Sequence, residues 1–243
     1  MILITGATGT VGSEVVKRLS AQGRQVRALT RDLHKAEANP LPHVEFVQGD
    51  FDDPDSMRRV CSGTERAFLL SNSTERAEQQ QTDFVEVART SGVRHLVKVS
   101  QLHAEANSPG RFLRYHAAVE AAVQAAGLTY TFLRRNLYMQ GLLNFRQSIK
   151  EKSAFFAAAG EARISAVDVR DLADVAVAAL TGSEHDNKSY SLSGPEALTF
   201  GEMAQQLSTS LGRTITFVDV PPEGHARSVG GPWFSTLASG RSA

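Results

Sequence analysis

The chain begins Met-Ile-Leu-Ile-Thr-Gly-Ala-Thr-Gly-Thr-Val-Gly. A short apolar run enters a turn with a glycine at every third position, and a helical pattern of apolar residues comes directly after it. The spacing is GxxGxxG rather than GxGxxG. Placed after a strand and ahead of a helix, such a turn has a physical use. Gly6 can take the tight turn, Gly9 lets a diphosphate approach the backbone, and Gly12 lets helix and strand pack closely. The helix N-terminus then offers unpaired N–H groups and partial positive charge to phosphate oxygens. Gly6, Thr8, Gly9, Thr10, Val11 and Gly12 are therefore candidate nucleotide contacts. The competing reading is a plain strand–helix turn with incidental glycines.

The same strand-then-helix alternation continues through the first two-thirds of the chain. Strand-like runs are expected at Ile2–Thr5, Gln25–Thr30, Val44–Gln48, Ala67–Ser71, His95–Ser100 and Tyr130–Leu133. Helical patterns lie between them. Val11, Val15, Val16 and Leu19 share one face. Asp53-Pro54 has the form of a cap with proline at the first helical position. Phe84, Val85, Val87 and Ala88 mark a third helix, and residues 112–126 a fourth that Gly127 stops. Apolar strands separated by helices make a parallel sheet covered on both faces, the α/β doubly wound plan. Ligands of such sheets sit beyond the carboxyl ends of the strands, where strand order reverses.

Beyond about residue 140 the alternation loosens. A helix is expected over 168–180, short strands at Tyr190–Leu192 and Thr214–Val218, and a helix from the capping box Thr199-Phe-Gly-Glu202 to Gly212. These suggest a dinucleotide-binding domain over 1–140 and a small α/β lobe over 141–243, interleaved with it. The Gly-, Ser- and Ala-rich stretch Ser228–Ala243 is expected to be held by few contacts.

Lys and Arg together number 26, as do Asp and Glu, so nothing steers the whole chain toward nucleic acid or an anionic membrane. No apolar run approaches the ~20 residues of a membrane helix. Cys61 is the sole cysteine, and the first strand comes directly after Met1. Both features suggest the cytoplasm. No metal site is expected, and the chain is expected to be a monomer or homodimer.

Strand ends carry further candidates. An Asp or Glu about 20 residues beyond the glycines holds an NAD ribose. Here the second strand ends Thr30-Arg31-Asp32, and Arg31 can grip a 2′-phosphate. That favours NADP(H) over NAD(H), with Asp32 as the counter-argument. Asp50 can accept from the adenine amino group or cap a helix. Phe51 can lie beside the adenine ring. Leu70 and Ser71 end the fourth strand near the expected ribose and diphosphate.

GATGTVG, LTR, QGDFDD, VKVSQ and YHAAVEAAVQAAGLTYTFLR together resemble the NmrA-like branch of the atypical short-chain dehydrogenases. The resemblance covers roughly residues 1–220. It implies a Rossmann domain with a small substrate lobe. It also implies kinship with NAD(P)H-dependent quinone reductases, isoflavone-type reductases and cofactor-sensing regulators.

Most short-chain dehydrogenases place a Tyr-xxx-Lys pair on one helix face. Ser100 stands where the family serine would and Tyr115 lies further along, but its i+4 partner is Val119. The neighbouring pair is His116 and Glu120, also i, i+4. Isoflavone-type reductases carry lysine at the position aligned with His116. His116 is thus the group expected nearest the nicotinamide, as a proton donor with an ordinary pKa near 6.5 or as a hydrogen bond to ribose or carboxamide. Glu120 would orient its ring. A bland surface His–Glu pair is the competing reading. Asn136, Tyr138 and Met139 are expected to line a cleft between the lobes; Phe145, Phe155 and Phe156 can form an apolar wall for an aromatic ligand, but taken singly each reads first as a core aromatic. Three readings stay open: an NADPH-dependent reductase of a quinone, enone or similar small molecule, an NADP(H)-sensing regulator without turnover, and a catalytically inert homologue that uses the Rossmann surface for oligomerisation.

Overall fold

The structure is a computed structural model that describes residues 1–37 and 40–220. The expectation for Ser228–Ala243 lies outside the described residues. The chain forms two compact units. Among the described residues, the first comprises residues 1–135 and Val169–Leu192, and the second comprises Asn136–Asp168 and residues 193–220.

The first unit is a seven-stranded sheet in the order β3-β2-β1-β4-β5-β6-β8. Its strands are β1 (Ile2–Ile4), β2 (Val26–Thr30), β3 (Val44–Gln48), β4 (Arg66–Leu69), β5 (His95–Gln101), β6 (Thr129–Arg135) and β8 (Lys188–Leu192). Every pairing is parallel. Strand order reverses between β1 and β4, so the nucleotide site of a doubly wound sheet is expected above that pair. The central strands are apolar on both faces because helices cover both. On one side α1 (Thr10–Ala21) packs against α7 (Val169–Thr181), joined by an Arg18–Asp174 ion pair at 2.5 Å. Elsewhere α3 (Pro54–Cys61), α4 (Ala77–Thr90) and α5 (Arg111–Ala125) pack successively. Phe84, Val85, Val119 and Val123 enter the core there beside Leu3, Leu96 and Phe132. A short helix α2 (Leu33–Glu37) comes after β2.

The boundary differs from the sequence expectation. Residues 169–192 belong to the sheet unit, not to the second lobe. Leu172, Ala173, Ala176 and Leu180 give α7 a buried stripe, and β8 adds to the sheet edge beside β6. Periodicity reports such a stripe without reporting which layer it meets.

The second unit holds a 3₁₀ turn over Met139–Phe145, α6 (Arg146–Lys152), α8 (Phe200–Leu211) and a two-stranded parallel sheet of β7 (Ala154–Ala157) and β9 (Thr216–Asp219). Its core centres on Phe155, whose ring lies 5.1 Å from Phe145 and 5.6 Å from Phe217. The capping box forms as expected: Glu202 N–H donates to Thr199 Oγ1 at 3.1 Å, and Thr199 N–H to Glu202 Oε2 at 2.7 Å. Asp53 likewise caps α3 through Asp55 and Ser56 N–H. No described helix is long and apolar enough to cross a membrane.

One polar cluster sits at the amino ends of the strands. His95, 3% exposed, accepts at Nδ1 from Arg66 at 2.9 Å, and its Nε2 lies 2.9 Å from Thr131 Oγ1. Burial, then the Arg66 charge, pushes its pKa down to about 4. Below the unfolded value of ~6.5 the unfolded chain takes up a proton that folded His95 refuses, so stability falls as pH falls through that window. In urea unfolding, the wild type should lose roughly 2 kcal/mol more than His95→Gln between about pH 7.5 and pH 5. Equal losses would show that His95 is not held neutral.

Candidate functional site

The glycine turn has the geometry the spacing suggests. Gly6 is left-handed at φ +61°, and a Cβ there would lie 2.8 Å from the Leu70 carbonyl oxygen. A Cβ on residue 12 would stand 2.1 Å from the Gly6 carbonyl oxygen. Both positions are closed to any side chain. Gly9 differs: a Cβ would meet only the Gly6 carbonyl, at 3.2 Å, with open space beyond. Thr5 Oγ1 accepts from Leu70 N–H and donates to the Phe68 carbonyl, both at 2.9 Å, tying the exits of β1 and β4 together. α1 starts with no side-chain cap and no acidic residue in its first turn. Its first N–H groups lack intrahelical partners by construction, and an anion is the natural partner for them. Thr8, Gly9 and Thr10 are exposed, whereas Val11 is buried in the core.

The other cofactor candidates lie along the carboxyl ends of the same strands. Arg31 is exposed at the end of β2. The Asp32 N–H is taken by Thr30 Oγ1 at 3.1 Å. Asp50 is no helix cap, since Asp53 has that role; its Oδ1 accepts from Asp52 N–H at 2.9 Å. Phe51 is half-buried edge-on to Phe84, with ring centroids 5.6 Å apart. Leu70 is half-buried, and Ser71 accepts from Gln81 Nε2 at 2.9 Å.

A second group gathers on β5, α5 and β6. Alternation puts Lys98 and Ser100 on one face of β5, and register pairs Ser100 with Arg134 of β6. From α5, Glu120 reaches both. Ser100 Oγ donates to Glu120 Oε1 at 2.5 Å, and Arg134 holds the two carboxylate oxygens at 3.1 and 2.5 Å. Glu120 therefore does not orient the His116 ring. The Arg134 fork takes both its oxygens, a partner that helical spacing alone cannot reveal. Nor is the pair a surface one, since His116 and Glu120 are 4% and 5% exposed.

The partner of His116 is Lys98, which sequence reasoning missed. Nζ lies 2.9 Å from His116 Nδ1 and donates to the Val99 carbonyl at 3.1 Å. Lys98 is fully buried, and burial pushes its pKa down to about 7. The signal was present: a lysine inside an apolar central strand has no route to solvent. Burial, then the Lys98 and Arg135 charges, holds the His116 pKa well below the usual imidazole range. This corrects the expectation of a histidine titrating near 6.5. The ring stacks on Tyr115 at 4.1 Å, with Phe112 edge-on at 4.9 Å. Tyr115 is buried, its hydroxyl 3.3 Å from Ser73 Oγ. His116 Nε2 is buried and has no hydrogen-bond partner among the described residues. A buried donor left in that state costs about 1–3 kcal/mol, so a ligand acceptor there would be stabilised.

In the second unit, Tyr138, Met139, Leu142, Phe145, Phe200 and Met203 line a largely apolar cavity of about 440 Å³. Asn136 does not line it and donates to Ser165 Oγ at 3.0 Å. Of the three candidate wall phenylalanines, only Phe145 lines it. Phe155 is wholly buried in the core, and Phe156 packs under Lys152, 5.7 Å away. Both belong to β7, a strand too short to read from pattern.

Comparison with known proteins bears on the fold and the family. An NAD(P)H azoreductase of Xenophilus azovorans is 35% identical over 223 residues, spanning 92% of this chain and 78% of the relative. The Citrobacter sp. triphenylmethane reductase, solved with NADP(H), superposes with a TM-score of 0.86 at 28% identity, covering 98% of this chain and 87% of that one. An NADPH-dependent quinone oxidoreductase of Escherichia coli, solved with NADPH, gives a TM-score of 0.86 at 29% identity, covering 99% and 86%. Residues 1–232 match the NmrA-like family, and the chain belongs to it.

Proposed function

We propose that this protein is an NADPH-dependent reductase that transfers hydride to a quinone- or enone-like small molecule. The observation that carries the reading is the uncapped N-terminus of α1, set behind a turn that only glycine can make and that is open at Gly9. Amides of residues 10–12 hold the diphosphate, and the Arg31 guanidinium holds the 2′-phosphate. Asp50 and Phe51 face the adenine end, and Leu70 and Ser71 the ribose and diphosphate. NADPH, when bound, supplies the hydride. His116, as a neutral group, hydrogen-bonds through its Nε2–H to the acceptor oxygen or to the nicotinamide end and keeps that proton; the proton that completes the reduction comes from solvent water. Ser100, Glu120 and Tyr115 hold the surroundings of that ring in place. The cavity of the second unit, walled by Tyr138 and Met139, is largely apolar and of a kind that suits an aromatic compound.

The alternative is an NADP(H)-sensing protein without turnover. Val119 favours it, because it occupies the i+4 position from Tyr115 where the usual dyad has lysine. That reading requires NADPH to bind and not be oxidised by any acceptor in a broad quinone and enone panel.

Arg31→Ala should weaken NADPH at least tenfold in calorimetry, as expected for a lost charge-assisted contact of about 1.5–3 kcal/mol, and leave NADH nearly unaffected. Equal losses for the two nucleotides would refute the 2′-phosphate contact.

Gly9→Ala and Gly12→Ala separate binding from folding. The first should unfold like the wild type yet bind NADPH poorly, because its methyl occupies the diphosphate approach. The second should lose roughly 1–3 kcal/mol of stability or more through overpacking.

His116→Ala should lower kcat about tenfold, whereas His116→Gln, which keeps a terminal N–H donor, should retain more. The wild-type kcat profile should show no limb from His116 near pH 6–7. The neutral ring is the donor form, and its activity is lost only well below the ordinary imidazole range. A limb that vanishes in His116→Gln would mean that the ring does titrate there.

A further inference from the structure

The imidazole of His116 has two nitrogens in unlike surroundings. Nδ1 faces Lys98 Nζ at 2.9 Å, and Nε2 is buried with no partner among the described residues. Charged groups act on it from both neighbouring strands: Lys98 from β5 and Arg135 from β6. Glu120 of α5 is engaged by Arg134 and Ser100. The faces and edges of the ring meet Tyr115 and Phe112.

An ammonium is a donor with no acceptor capacity. While Lys98 Nζ is protonated beside it, Nδ1 must therefore accept, and the ring proton must sit on Nε2. Adding a second proton would set two cations 2.9 Å apart in a buried site, which desolvation and Coulomb repulsion both oppose. The Nζ contact to the Val99 carbonyl holds the ammonium in place.

We infer that Lys98 is a positioning residue for the reaction: it fixes His116 as the neutral Nε2–H tautomer, so that one preset N–H meets the ligand and the ring does not act as an acid. Which nitrogen of a histidine carries the proton is set by what the other one meets. Lys98 Nζ is engaged by the Val99 carbonyl and His116 Nδ1, so it acts through the ring. The inference rests on His116 as a ligand contact, the reading proposed above, but its central element is testable without turnover.

The experiment is ¹⁵N NMR of histidine-labelled protein, assigned with His116→Gln, alongside kinetics of Lys98→Met. In the wild type between about pH 5 and 6, below the Lys98 pKa of about 7, His116 should give an unprotonated Nδ1 signal and a protonated Nε2 signal. Lys98→Met, of similar length and without a donor, should show both tautomers. Its kcat should fall about tenfold, with KM for NADPH within twofold. A wild-type spectrum with the proton on Nδ1, or on both nitrogens, overturns the inference whatever the kinetics. So does a Lys98→Met protein whose kcat is unchanged, or whose kcat falls while the tautomer stays fixed. If that variant does not fold, the wild-type spectrum decides. Full turnover in His116→Ala would remove the ligand contact while leaving the tautomer measurement to stand or fall alone.

Discussion

The Gly6 carbonyl oxygen lies 2.1 Å from where any side chain on residue 12 would begin. That approach presses the first turn of α1 onto the exit of β1. Thr5 and Gly6 lock the same exit against Leu70 at the end of β4, across the point where strand order reverses. The helix N-terminus is thereby aimed beyond the carboxyl ends of the strands. It has no cap of its own, so its first amides are available to an anion.

From this seat the sheet carries the second group of residues. β5 and β6 pair in a register that sets Ser100 beside Arg134, and α5 brings Glu120 and His116 down onto them. Four ionisable groups share the region. Glu120 is matched by the Arg134 fork at one end, while Lys98 is matched only by a carbonyl and the imidazole. Buried charge is tolerated when hydrogen bonds satisfy it, and here that requirement fixes the state of the histidine. Hydride chemistry belongs to the cofactor, so a neutral, well-aimed N–H is sufficient protein machinery where the Tyr-xxx-Lys dyad is absent.

Much of the fold is legible in the sequence because it depends on local pattern. The glycine turn, the six alternating strands and the Thr199 capping box come from periods and spacings that neighbouring residues impose. The 169–192 segment is misplaced by pattern because its apolar stripe fits a sheet or a lobe equally well. Phe155 and Phe156 stay open between wall and core in the sequence because β7 has only the four residues AFFA, and a core aromatic looks like a pocket aromatic in one dimension. The polar site is half legible. His116 stands out by its spacing from Tyr115 and Ser100, yet its true partner, Lys98, lies on β5 beneath the helix. Lys98 meets it only through the packing of α5 on β5. Glu120 goes to the wrong neighbour in one dimension because Arg134 reaches it from β6. Helical spacing reports what one helix face holds, and it is silent on what the sheet beneath presents.

The most direct test of the account is a crystal structure with NADPH bound. The diphosphate oxygens should lie within hydrogen-bond distance of the backbone N–H groups of residues 10–12, with the 2′-phosphate against Arg31. A nucleotide bound elsewhere, with the N-terminus of α1 left without an anion, would contradict it.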